Sequence, residues 1–91
     1  MTPRIFKYTL EITSDQTVQM PQDAQILSVA NQNGNLCLWA MVDIDCPPHP
    51  RHIEIIGTGL PVPDSQRLFI GTAVIGQFVW HVFEKNKGES S

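Results

Sequence analysis

Charged side chains are scarce in this chain: Asp, Glu, Lys and Arg make up 16% of 91 residues, and the net charge is -3. Its cations, Arg4, Lys7, Arg51, Arg67, Lys85 and Lys87, are scattered and form no basic run. Duplex recognition needs clustered cations to displace the counterions of the phosphate backbone, so direct DNA or RNA binding is disfavoured. No apolar stretch approaches the roughly 20 residues of a membrane-spanning helix, and the opening residues lack the apolar segment of a signal peptide. The expectation is a cytoplasmic protein with no membrane partner. Cysteine is limited to Cys37 and Cys46. In a reducing compartment these are two free thiols, Cys37 being a core filler on its strand. Helical periodicity is absent over any window of about ten residues. Seven prolines and six glycines divide the chain too finely for long helices.

What is there reads as strands. Phe6, Tyr8, Leu10 and Ile12 alternate with Lys7, Thr9 and Glu11, the pattern of a half-buried strand. Thr13-Ser14-Asp15-Gln16 is turn chemistry, and Thr17 to Met20 forms a short strand closed by Pro21, which cannot donate to a ladder. A third strand runs from Ala24 to Ala30. Asn33-Gly34 tolerates the positive φ angles of a tight hairpin turn, and it joins that strand to the apolar run Leu36 to Val42. Asp43 to Arg51, with Pro47, Pro48 and Pro50, predicts a stiff extended loop. Strands follow at His52 to Ile56, Arg67 to Ile70 and Gln77 to Glu84. A second proline-stiffened loop spans Leu60 to Ser65. Gly57 and Gly71 recur in Ile-Gly-Thr echoes, where a glycine inside a strand pattern marks a bulge or bend and could form the corners of a barrel. The fold class is therefore all-β: a compact sandwich or small barrel of six or seven short antiparallel strands. Residues 1–84 form one β domain, and residues 85–91 a flexible C-terminal tail.

Two of these strands, Leu36 to Val42 and Phe78 to Phe83, are apolar on both faces. Successive side chains of a strand point to opposite sides, and a chain this short has little material to cover both. That points to burial against a second layer or against another copy of the chain, and a homo-oligomer is the expectation.

Candidate chemistry is thin. Cys46, His49 and His52, with His81, are zinc-ligand types, but their spacing is not that of a knuckle and the intervening prolines restrict convergence. No metal and no cofactor are assigned. Cys46 beside His49 or His52 lacks an orienting third group, and no Gly-x-Ser-x-Gly element occurs, so the chain is not read as an enzyme and no catalytic residue is named. Gly57-Thr58-Gly59 could turn backbone N–H groups toward an anion, with Arg51 and Arg67 as polar partners, although a plain bulge and loop entry suits it better. Trp39 and Trp80 lie mid-strand and serve the core, a stacking pocket for a planar base or an interface with a partner. The candidate ligand-binding set is thus Arg51, Gly57, Thr58, Gly59, Arg67, Trp39 and Trp80.

The string Phe6-Lys7-Tyr8-x-Leu10, Gln16-x-Val18-x-Met20-Pro21, Ala24-x-Ile26-Leu27-x-Val29, Leu38-Trp39-Ala40, Gly57-Thr58-Gly59, Phe69-Ile70-Gly71-Thr72 and His81-Val82-Phe83-Glu84 resembles a family of small proteins carried by bacteriophages and prophages. The resemblance covers nearly the whole chain but leaves out the Cys46 to Arg51 stretch, and it brings no catalytic motif. It implies an accessory phage protein acting in the cytoplasm of the infected bacterial cell. The resulting expectation is a non-catalytic, homo-oligomeric binding protein that captures a small anionic or nucleotide signalling ligand and so counters a host defence. The alternatives are a protein-binding inhibitor of a host factor and a structural or assembly component of the virion.

Overall fold

A computed structural model describes residues 2–85. Seven strands follow one another with no helix among the described residues: β1 (Pro3–Leu10), β2 (Asp15–Pro21), β3 (Gln25–Gln32), β4 (Asn35–Asp43), β5 (Pro48–Gly57), β6 (Arg67–Ile75) and β7 (Phe78–Lys85). They pair antiparallel in two sheets, ordered β1-β4-β3 and β2-β5-β7-β6. Among the described residues no ladder joins one sheet to the other, so of the two expected architectures the chain adopts the sandwich.

The core follows from alternation along β4. Leu36, Leu38, Ala40 and Val42 all point to one side and are buried, together with Leu10 and Val29 from the flanking strands. The facing sheet supplies Met20, Ile53, Ile55, Ala73 and Val82. Each fully buried Leu, Ile or Val contributes about 1.5–3 kcal/mol relative to exposure. Asn33 and Gly34 both have positive φ, 55° and 86°, as the β3–β4 hairpin requires. On one side the sandwich is closed by β3 and β6: the Asn31 side-chain amide donates to the Val74 carbonyl at 3.0 Å.

The reverse side of β4 is covered only in part. Cys37 is buried, Trp39 half-buried and Met41 exposed. Lys7 Nζ donates to Gln32 Oε1 at 2.6 Å, a link from β1 to β3 that passes over β4. On β7, Val82 is buried while Phe78 faces solvent. The double-faced apolar strands therefore do retain exposed area in a single copy.

Four expectations need correction. Pro48 to Arg51 are not loop but the first part of β5, paired with β2 from Pro48↔Pro21 to Glu54↔Asp15. β7 joins β5 only between Ile53 and Gly57, so Pro48 and Pro50 sit where the strand has a neighbour on one side alone. Their missing N–H groups then cost no ladder bond on the open side. The first strand stops at Leu10 rather than Ile12, because the Gln16 side-chain amide occupies both backbone groups of Glu11, at 3.1 and 2.7 Å. Gly71 lies not at a barrel corner but beside a bulge inside one continuous strand, β6. Lys85, assigned above to the tail, is the last residue of β7; residues 86–91 of that tail lie outside the described residues.

Gly71 also sets the spacing between sheets. A methyl group there would stand 3.0 Å from Cγ2 of Val29 on β3. Gly71→Ala is expected to destabilise the fold by about 1–3 kcal/mol in urea denaturation. Adding Val29→Ala should recover part of that loss, whereas simple additivity of the two changes would show that the contact does not limit the packing.

Candidate functional site

β5, β7 and β6 lie side by side, and alternation sends Glu54, Ile56, His81, Phe83, Phe69, Thr72 and Val74 to the face away from the core. The loop after Gly57 folds over one part of this face. Its turn is closed by the Leu60 N–H donating to the Gly57 carbonyl at 3.1 Å, with Gly59 at φ 90°. Only glycine adopts that angle without strain. The loop and sheet enclose an open groove of about 310 Å³, walled by Ile56, Leu60, Val62 and Phe83.

The polar side chains lining the groove are His81 and Thr58, and Thr72 backs the imidazole from β6. Nε2 of His81 is 2.8 Å from Oγ1 of Thr58, and Nδ1 is 3.0 Å from Oγ1 of Thr72, the residue directly across the ladder. Both ring nitrogens are satisfied in either neutral tautomer, since a hydroxyl can donate or accept. A Thr–His pair has the outline of a nucleophile and base. Its third member is a hydroxyl, however, whereas a carboxylate in that position would stabilise an imidazolium. The nearby carboxylate, Glu54, is engaged elsewhere.

Glu54 is 2% exposed, and its Oε1 accepts from Arg67 Nε at 2.6 Å. Arg67 Nη2 also donates to the Pro63 carbonyl at 2.6 Å and to Ser65 Oγ at 2.8 Å, and the guanidinium lies 5.8 Å from the Phe83 ring centroid. Arg67 thus ties the Leu60 to Ser65 loop down onto the sheet. Arg51 is on the opposite face of the same sheet, where it makes a two-pronged ion pair with Glu84 and donates to the Ala24 carbonyl at 2.7 Å. The Glu84 hydrogen bond raises the Arg51 pKa above its ordinary value, against the opposing effect of burial.

Of the residues proposed from sequence, Gly57, Thr58 and Gly59 line the groove, while Arg67 lies outside it and acts on it only through the loop that it anchors. Arg51 is separated from them by the thickness of the sheet, and both guanidiniums are neutralised by carboxylates. The Thr58 N–H donates to the Val79 carbonyl at 3.2 Å, so the bend turns that donor inward and not toward an anion. Trp80 packs against the core, and a methyl group on Gly57 would stand 3.1 Å from its ring. Trp39 lies in the other sheet, on the reverse side of β4. The two tryptophans share no pocket.

His81 and Thr72 escaped the sequence reading as a pair. Their signal was the two-residue turn Gly76-Gln77, which places Ile75 opposite Phe78 and so Thr72 opposite His81. Among the described residues no group of three His, Cys, Asp or Glu is placed to hold a metal ion.

The chain belongs to the DUF7352 family. The match spans residues 1–91, and the family is described as a domain of unknown function. No curated protein and no solved structure matches the chain.

Two outcomes follow from the charges of the sheet and its connections. Arg67→Met strands Glu54 as a buried unpaired carboxylate and is expected to cost about 3–5 kcal/mol in chemical denaturation; Glu54→Leu with Arg67→Met should restore most of it. Outside the groove, in the β4–β5 connection, loss of solvent and the neighbouring Asp43 raise the Cys46 thiol above its ordinary 9.0. Alkylation of Cys46 at about pH 8 should be slower than that of a free cysteine peptide, and Asp43→Asn should accelerate it. Equal rates in the two proteins would remove the Asp43 effect.

Proposed function

We propose that this chain is a non-catalytic, homo-oligomeric binding protein whose outer β5-β7-β6 face takes a protein partner. The observation that carries the reading is the apolar character of that face. Phe69 is 61% exposed and Val74 58% exposed, and Phe69 meets Phe83 edge-on at 5.5 Å. Leu60 and Val62 extend the apolar surface along the groove, and His81 with Thr58 forms a hydrogen-bonding centre within it. Aromatic anchors around a small polar group are the pattern of a protein-recognition surface.

The phage resemblance supplies the setting: an accessory protein of an infected bacterium, acting in its cytoplasm on a host factor. Capture of a small anionic or nucleotide signalling ligand is the weaker version. An anion needs a free cation, and both arginines proposed for that role are paired with carboxylates. Association of copies is supported by the exposed apolar residues in each sheet of a chain with few charges.

A photo-crosslinking amino acid at Phe69 or Val74 is expected to capture one discrete host protein in infected cells, and the same group at Gln19 on β2 should not. Phe69→Glu should abolish the adduct with the fold intact by circular dichroism. Calorimetric heat with a cyclic nucleotide, together with no adduct from either position, would replace this reading by the small-ligand one.

A further inference from the structure

A sandwich of two open sheets has four edge strands, here β1, β3, β2 and β6. Unpaired edges recruit other strands unless they are bulged, covered or charged. β3 has a register shift between Ile26 and Ser28, β6 has one between Phe69 and Gly71, and the two are linked by Asn31 and Val74. β2 has no exposed large apolar side chain with which to reward pairing. β1 differs from all three. Its register with β4 is unbroken from Pro3↔Asp43 to Leu10↔Leu36. It exposes Ile5, at 61%, on one face and Phe6, at 39%, on the other. Its central lysine, Lys7, donates to the neutral Gln32 on β3 and so keeps its charge, but it covers none of the backbone edge.

We infer that β1 pairs antiparallel with β1 of a second copy about a twofold axis through Phe6, giving one six-stranded sheet ordered β3-β4-β1-β1-β4-β3. This deepens the homo-oligomeric reading above and rests on it. The register follows from elimination. A twofold axis normal to the sheet sets each residue against one that faces the same way. Centring on Lys7 places two lysines opposite each other, which is repulsive. Centring on Ile5 uses only the rungs from Pro3 to Lys7. Centring on Tyr8 uses only those from Phe6 to Leu10, because Gln16 has already occupied the backbone of Glu11. Centring on Phe6 uses Pro3 to Thr9. It sets Phe6 against Phe6, Arg4 against Tyr8 and Ile5 against Lys7 of the second copy. Aromatic pairing, a cation beside an aromatic ring and an alkyl stem over an aliphatic side chain are all favourable contacts.

The test is sedimentation equilibrium on the full chain, with native mass spectrometry. Phe6→Lys and Phe6→Glu should each raise the dimer dissociation constant at least about tenfold, because residue 6 faces itself. An equimolar mixture of the two should recover a dimer, predominantly of mixed composition. Ile5→Glu, facing Lys7 of the second copy, should tighten the wild-type dimer, and Ile5→Lys should loosen it. These Ile5 changes lie at an exposed position and decide the matter if either Phe6 variant fails to fold. A wild-type oligomer indifferent to charge at residues 5 and 6, with no recovery on mixing, overturns the β1 pairing and leaves association through another face standing. A wild-type chain that stays at its single-copy mass of 10.2 kDa up to about millimolar concentration overturns both that pairing and the homo-oligomeric reading.

Discussion

The row Leu36, Leu38, Ala40 and Val42 on β4 has one layer to bury it, the sheet β2-β5-β7-β6, and the described residues supply no third layer. Burying that row against Ile53, Ile55 and Val82 uses one face of each sheet and leaves the other two facing outward. The molecule is accordingly a slab, with Cα extents of 42 × 36 × 16 Å. Its surface properties follow from this constraint. Every strand in the middle of a sheet must present its second row of side chains to solvent, to a loop or to another molecule. β4 shows the first and β5 the second: Met41 is left exposed, while Ile56 is covered by the turn after Gly57.

Two ion pairs hold this arrangement from either side of one sheet. Arg51 with Glu84 lies on the core-facing side and reaches the Ala24 carbonyl, joining β5 and β7 to the chain entering β3. Arg67 with Glu54 lies on the outer side and anchors the loop that walls the groove. Both pairs are removed from bulk water, so each guanidinium is stabilised only while its carboxylate stays opposite it. Spare positive charge is thereby kept off the groove. What remains there to recognise a partner is shape, apolar area and the hydrogen-bonding imidazole of His81.

The local features of this fold were legible because they depend on a few adjacent residues. Asn33-Gly34 sets the β3–β4 turn by its own φ preferences, and the glycine inside β6 does accompany a bulge. The errors came where a distant strand decides the outcome. Pro48 and Pro50 look incompatible with a ladder until it is known that β7 begins its pairing with β5 only at Ile53. Alternation within β5 already puts Arg51 and Glu54 on opposite faces. That Arg67 is the residue beside Glu54 depends on the order β5-β7-β6, which no local pattern encodes. The same non-locality grouped Arg51 with Arg67 by proximity in sequence, although the sheet lies between them.

The two proposed surfaces are compatible because they belong to different sheets. Pairing through β1 extends β1-β4-β3 and leaves the outer face of β5-β7-β6 free on both copies. Such a dimer presents two identical grooves related by the twofold axis. A partner that is itself dimeric, or that repeats its recognised segment, would meet the second groove at an effective concentration set by that geometry. Weak contacts at each apolar face then combine into firm retention, which suits a site built from a few aromatic and aliphatic side chains and no free charge. A lone copy would have to hold the same partner through the area around Phe69, Phe83 and His81 by itself. The edge strand therefore bears on function through avidity, although it contributes no residue to the groove.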